Sequence, residues 1–310
     1  MSTLRIKLFG KFHCEVDNTP LSGLELHKVQ ELFGYLALFR TRLHHRDVLA
    51  TLLWDDRSEL HAKKALRQTL WLLQSALNNG TTGSDRSFLT VEDDWIGLNP
   101  RADIWVDTQV LETAYQHVRQ ASGPPLGDAE AQSLREVVSL YEGDLLEGWF
   151  CDWCIQERER HQFLFLSILD TLLGFCETRA DYKSGVYYGS LILRYDNARE
   201  STHRRLMYFH YIMGHRTRAL RQYETCVTVL AKELGVPPAK RTQTLYEQIC
   251  RDQLEGIQGP LPAAEHAAAL PAAAMPFALS AVTLLTQLTV IRQMIEQLQQ
   301  QVDGLVNRRL

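Results

Sequence analysis

The stretch LELHKVQELFGYLALFRTRLHHRDVLATLLWDDRSELHAKKALRQTLWLLQSAL, Leu24–Leu77, holds three helical patterns almost end to end. The first spans about Glu25–Arg40, with apolar positions at Val29, Leu32, Phe33, Leu36 and Leu38. The second, Leu43–Trp54, turns Val48, Leu49, Leu52 and Leu53 inward. The third begins after Ser58, a good N-cap, and carries an apolar stripe at Ala62, Leu66, Leu70, Leu73 and Leu77. Its opposite face holds Lys64, Arg67, Gln68, Trp71 and Ser75. A short helix followed by an amphipathic helix with a basic outer face is what a helix-turn-helix requires.

The flanks extend this reading. Leu4–Phe9 and Phe12–Val16 alternate apolar and polar residues around Gly10-Lys11, as two short antiparallel strands do. Asn18-Thr19-Pro20 reads as a turn leading to a further extended piece at Leu21. After a polar loop at 78–87, Phe88–Glu92 and Trp95–Leu98 form a hairpin around an acidic turn at Asp93-Asp94. Strands, three helices and a hairpin make a winged helix-turn-helix, assigned to residues 1–104.

From Asp107 the pattern is helical, through Val110–Gln120, Ala129–Leu140 and Ile155–Thr178. Ala180–Gly185 aligns with Gly214–Ala219 at an offset of 34 residues, and each block puts a small residue, Gly185 or Ala219, at the same place. That period is the one of tetratricopeptide repeats, helix pairs stacked into a superhelix. Leu234-Gly235-Val236-Pro237-Pro238 stops a helix. The helical part is assigned to residues 105–255, and the fold class is mainly α.

Residues 256–276, rich in Ala and Pro, read as a linker. Residues 277–310 then carry a heptad: Leu288, Ile295 and Val302 at position a, and Leu284, Ile291, Leu298 and Leu305 at d. This predicts a coiled coil joining copies of the chain, most simply a parallel dimer. Leu285, Met294 and Val306 widen the apolar face and leave a trimer or tetramer open, and a helix folding back onto the repeats is the other reading.

The chain has 310 residues, 45% hydrophobic and 23% charged, with a formal net charge of −4. No global basic field draws it to nucleic acid, so any DNA contact must come from a local patch. The start, MSTLRIKLFG, is too polar for a secretory segment, and no stretch suits a membrane span, so a cytoplasmic protein is expected. The six cysteines lack disulfide-framework spacing. Cys151-x-x-Cys154 has no second ligand pair, and His44-His45 no carboxylate cluster, so neither metal nor cofactor is expected. Asp152, Glu157 and Glu159 among Arg158 and Arg160 read as a solvated ion-pair face. No phosphate loop, nucleophile elbow or zinc-protease motif occurs, so no catalytic residues are assigned.

LRIKLFGKF, the helix ending LLW, and HAKKALRQTLWLLQSAL resemble the winged-helix domain of SARP-type bacterial activators, the Streptomyces antibiotic regulatory proteins. LYEGDLLEGWFCDWCIQERER and RALRQYETCVTVLAKELGVPP resemble the bacterial transcriptional activation domain of the same family. The resemblance covers nearly all of residues 4–250, and this chain looks like a short form without the ATPase module of larger members. It implies binding to double-stranded DNA at direct repeats, usually as a dimer, and recruitment of RNA polymerase or its sigma factor.

On the third helix, Arg67 suits guanine edges and Gln68 adenine, while Lys63 and Lys64 suit phosphates. Trp71 packs against the wing or touches thymine methyls, and Arg46 reaches a phosphate at the preceding helix's N-terminus. Two departures stand out. Family members often end this helix with arginines, where this chain has Trp71-Leu72-Leu73-Gln74-Ser75, and its wing turn, Glu92-Asp93-Asp94, is acidic. An alternative follows from them: a scaffold that keeps the fold, does not bind DNA, and uses its repeats to hold a protein.

Overall fold

The computed structural model describes residues 2–79, 87–120 and 126–253, all of which belong to one compact unit. The linker and the heptad with its coiled-coil expectation lie outside these residues.

The chain opens with β1 (Leu4–Lys7), β2 (His13–Val16) and β3 (Thr19–Pro20). β1 and β2 pair antiparallel, Leu4 opposite Val16 and Lys7 opposite His13. The turn between β2 and β3 sits one residue earlier than expected. Asp17 and Asn18 take φ of 50° and 63°, the two positive values of a type I′ hairpin, so Thr19 and Pro20 join the sheet. Pro20 is tolerated because β3 is an edge strand.

Three helices follow: α1 (His27–Leu38), α2 (Arg46–Leu53) and α3 (Glu59–Asn79). The second expected helix is corrected at its start. His44 and His45 form a short strand, β4, paired with Trp95 and Ile96 of the wing. Just beyond this pairing Gly97 faces Leu43, and a Cβ there would lie 2.7 Å from Leu43 Cδ2. His45 then caps α2, its Nδ1 accepting the Asp47 N–H at 3.3 Å. β5 (Leu89–Glu92) and β6 (Trp95–Leu98) complete the wing sheet, ordered β4-β6-β5.

Strand β7 (Ile104–Val106) was not anticipated. It lies parallel to β1, Leu4 opposite Ile104, so the N-terminal sheet runs β3-β2-β1-β7 and spans the expected 104/105 division. Ile104-Trp105-Val106 is too short to show alternation, and it merges with the helix behind it.

The remainder is helical: α4 (Asp107–Gln120), α5 (Asp128–Leu140), α6 (Asp152–Thr178), α7 (Tyr182–Tyr195), α8 (Glu200–Ile212), α9 (Arg216–Glu233) and α10 (Lys240–Arg251). From α6 onward each helix packs on the next, and α4 and α5 pack on α6. The 34-residue offset maps α7 onto α9. Gly185 and Ala219 are both buried, and a Cβ on Gly185 would stand 2.7 Å from Phe209 Cε2 on α8. Gly185→Ala is therefore expected to destabilise the chain by about 1–3 kcal/mol, because the Phe209 ring must shift. Urea unfolding checks this, and an unchanged midpoint would refute the close packing. Arg205, mostly buried, ties α8 to α6 through Asp170 at 3.1 Å and Glu177 at 2.9 Å.

Candidate nucleic-acid interface and its joint with the repeats

Helix α3 buries Ala62, Leu66, Leu70, Leu73 and Leu77, the stripe read from the sequence. Lys64, Arg67, Gln68 and Trp71 are exposed together on the opposite side, at the i, i+3, i+4, i+7 spacing of one helical face. Lys64 and Arg67 enter no ion pair among the described residues. Trp71 is 65% exposed, and its ring meets no other aromatic ring among the described residues.

The other two basic candidates stand differently. Lys63 is half-buried between Glu59 at 2.7 Å and Asp47 at 3.0 Å, so its charge is already matched by two carboxylates. Arg46 begins α2, where its backbone N–H donates to the Asp94 carbonyl of the wing turn at 2.8 Å. Its side chain is half-buried, with a buried Nε that makes no hydrogen bond. The Arg46 and Asp47 N–H groups at this helix start are thus satisfied within the protein. Ser58 precedes α3, and its hydroxyl meets His61 Nδ1 at 2.7 Å. The acidic wing turn is exposed, with Asp93 at φ 42°. Beside it Trp95 is 48% exposed and sets its ring edge-on to His45 at 5.3 Å.

The joint between this winged unit and the repeats was the least legible part. Asp107, 1% exposed at the start of α4, accepts the backbone N–H groups of Leu8, Phe9 and Thr108 at 2.7–3.0 Å. The turn after α5 continues the contact. Gly10 N–H donates to the Asp144 carbonyl (2.8 Å), Leu146 N–H to Leu8 (2.7 Å) and Glu147 N–H to Gly10 (2.8 Å). Trp149 then inserts its ring near Phe12 (6.0 Å), His27 (5.0 Å) and Trp153 (6.4 Å), and Trp153 meets Tyr35 of α1 at 5.3 Å.

The solvated ion-pair face expected at the start of α6 is corrected here. Asp152 and Glu159 are exposed, but Glu157 is 5% exposed. Arg158 spends its guanidinium on the carbonyls of Leu145, Leu146 and Trp149 at 2.9–3.0 Å. A charged run can serve as backbone cement when the preceding turn leaves its carbonyls without partners. Cys154 is buried beside Arg158, and Cys151 sits at the N-cap of α6. Among the described residues no cluster of three or more His, Cys, Asp or Glu is placed to hold a metal, and no helix is long and apolar enough to cross a membrane.

Burial pushes the Asp107 carboxyl up to about 6, against the backbone N–H groups of Phe9, Leu8 and Thr108, which pull it down. Because folding raises this pKa, the group's contribution is fully present below its unfolded value and shrinks as pH rises through about 6. The stability advantage of the native chain over Asp107→Asn is expected to fall by about 1–3 kcal/mol between roughly pH 4 and roughly pH 7. Urea titrations of both proteins check this, and a difference independent of pH would refute it.

The family model for the bacterial transcriptional activator domain matches residues 106–250. This region is a bacterial transcriptional activator domain. The activator domain thus begins at the end of β7 and runs through α10, which makes the joint its contact with the winged unit. Among solved structures, Mycobacterium tuberculosis EmbR in complex with a low-affinity phosphopeptide matches with a TM-score of 0.65 at 18% identity. The match covers 82% of this chain and 66% of that one, so the chain spans about two thirds of EmbR's length. At that identity the likeness is one of fold alone. The C-terminal tetratricopeptide domain of a Plasmodium falciparum FK506-binding protein matches at a TM-score of 0.32 and 12% identity. It covers 47% of this chain and 87% of that one. Comparison of the sequence with curated proteins gave no match. The activator domain and the fold around it are consistent with DNA-binding transcriptional regulation.

Proposed function

We propose that the chain is a transcriptional activator that lays α3 in the major groove of promoter repeats and contacts the transcription machinery through its activator domain. The observation that carries this reading is the exposed face of Lys64, Arg67, Gln68 and Trp71. Two cations there enter no ion pair among the described residues, on a helix whose other face is buried. Lys63, one residue away, is by contrast spent on Glu59 and Asp47. Arg67 and Gln68 read base edges, Lys64 takes a phosphate, and Trp71 presents an apolar edge to thymine methyls. Lys63 and Arg46 act one layer behind, Lys63 by holding α2 against α3. The heptad of Leu284 to Leu305 pairs two chains and raises the effective concentration of the second reading helix at a repeat. RNA polymerase or its sigma factor is the partner of the repeats in this reading.

Selection of genomic fragments by the purified full chain tests it. Enrichment of a repeated motif, with affinity falling steeply as salt rises, supports the proposal. Failure to retain any fragment at low salt, with a protein captured stably on the helical repeats, would replace it by the scaffold reading that the acidic wing favours.

A further inference from the structure

Cys151 and Cys154 take no part in the reading above, and the structure sets them across a helix boundary. Cys151 is the N-cap of α6, with extended backbone at φ −71° and ψ 144°, and Cys154 stands in the first turn. The Cys154 N–H donates to the Cys151 carbonyl at 2.9 Å and closes that turn. One such turn brings two Cα atoms to about 5 Å, inside the range of roughly 4.4–6.8 Å that a disulfide spans. Both thiols are free, and they hydrogen-bond to each other. No third His, Cys, Asp or Glu among the described residues is placed with them to hold a metal.

The two sulfurs are unequal, as an attacking and a resolving thiol must be. Cys151 is partly exposed, while Cys154 is fully buried. The hydrogen bond from Cys154 pulls the Cys151 pKa below the ordinary thiol value, against burial and the nearby Glu31 carboxylate. The N-terminus of a 27-residue helix favours the same thiolate. Cys154 is pushed up, first by its bond to Cys151 and then by burial. The accessible sulfur is thus the nucleophile, and the buried one waits beside it with its proton. By contrast, burial pushes the separate Cys14, Cys176 and Cys226 thiols up.

We propose that Cys151 and Cys154 form a reversible disulfide under hydrogen peroxide, and that this bond acts on the joint between the winged unit and the activator domain. The Cys151 thiolate attacks one peroxide oxygen, the O–O bond breaks and hydroxide leaves. The sulfur, oxidised by two electrons, is then a sulfenic acid. Cys154 attacks it: the S–S bond forms, the S–O bond breaks, and the departing hydroxide takes the Cys154 proton as water. With the proton first lost by Cys151, two thiols and one peroxide give one disulfide and two waters. A dithiol reverses the bond by exchange. The joint is touched directly. Arg158, which holds the carbonyls of Leu145, Leu146 and Trp149, also donates to Cys154 Sγ at 3.6 Å, and that thiol reaches the Leu145 carbonyl at 3.9 Å. The disulfide removes the thiol hydrogen and turns the sulfur toward Cys151. Trp153, inside the closed loop, meets Tyr35 of α1 at 5.3 Å. The inference stands whether or not α3 binds DNA.

The full chain is treated with hydrogen peroxide, beside a Cys250→Ser form that lacks the exposed thiol at that position. Remaining thiols are alkylated and tryptic peptides weighed. In both forms the peptide ending at Arg158 should be lighter by two hydrogens and take up no alkyl group, and dithiothreitol should restore both thiols. In Cys154→Ser the reaction should stop at a Cys151 sulfenic acid that dimedone traps, and in Cys151→Ser the peptide should stay unoxidised. The second variant alone decides the case if the first fails to fold. Oxidation should move the thermal midpoint of the native chain by about 2 °C or more and leave that of Cys151→Ser in place. Two alkylatable thiols left at 151 and 154 after Cys250 is oxidised, or a disulfide from Cys151 to a second chain, would overturn the proposal. An unmoved midpoint in the fully oxidised chain would overturn its link to the joint.

Discussion

Trp149→Ala is expected to remove about 3–5 kcal/mol of stability, the range for deleting a buried indole. It should also split one melting transition into two. The indole is 7% exposed and is the wedge between α1 and the start of α6. Its ring carbons lie 3.3 and 3.4 Å from where a Cβ on Gly34 would stand, so α1 has given up a side chain to admit it. Phe12, His27 and Trp153 close around the same ring. No neighbouring side chain can fill a void of that size without leaving its own packing. The hydrogen bonds from residues 144–147 remain, but they cross a thinner interface. Calorimetry distinguishes the outcomes: two resolved transitions support a wedge, and a single transition at a lower temperature assigns Trp149 to one core alone.

The second large effect concerns DNA. In Lys64→Ala/Arg67→Ala the affinity for a selected promoter fragment is expected to fall by about 2–4 kcal/mol, roughly thirtyfold to a thousandfold. The two halves separate by salt. Arg67→Ala relaxes the preference for one base, while Lys64→Ala weakens all sequences alike and lowers the salt slope by about one. Neither residue is buried or enters an ion pair among the described residues, so stability should hold within about 0.5 kcal/mol and any lost binding is not lost folding. Full promoter affinity in the double variant, measured by gel shift across a salt series, would sink the assignment of this face.

The helices of the winged unit were legible because their apolar stripes repeat at 3.6 residues, and the stripe of α3 is buried as read. The hairpin of Phe88–Glu92 and Trp95–Leu98 was legible from the acidic turn, Asp93-Asp94, between two short β-prone runs. What escaped had no period to show. β7 is three residues long and is held by β1, about a hundred positions away. The strand at His44-His45 is defined by its pairing with Ile96 and Trp95 of the distant wing, and nothing local in RLHHRD signals that. The 144–158 joint hid behind ordinary composition. Its two tryptophans, four apart on one helical face or its approach, were the available signal, and a run of charges beside them suggested solvent instead. For the DNA face, the sequence gathered Lys63 and Arg46 with Lys64 and Arg67 by charge alone. Only coordinates distinguish a cation facing out from one spent on Asp47 and Glu59.

The pairing of β1 with β7 carries a consequence for how the chain comes off the ribosome. The first strand to emerge waits for the residues at 104–106 before its parallel edge is covered, and Leu8 and Phe9 wait for Asp107 to accept their N–H groups. A nascent winged unit therefore exposes a strand edge until the first turn of the activator domain has left the exit tunnel, a delay that grows with the loop to be closed. A stop in the gene just short of Ile104 would release a fragment whose β1 edge stays uncovered, one inclined to pair with its neighbours rather than to search for an operator.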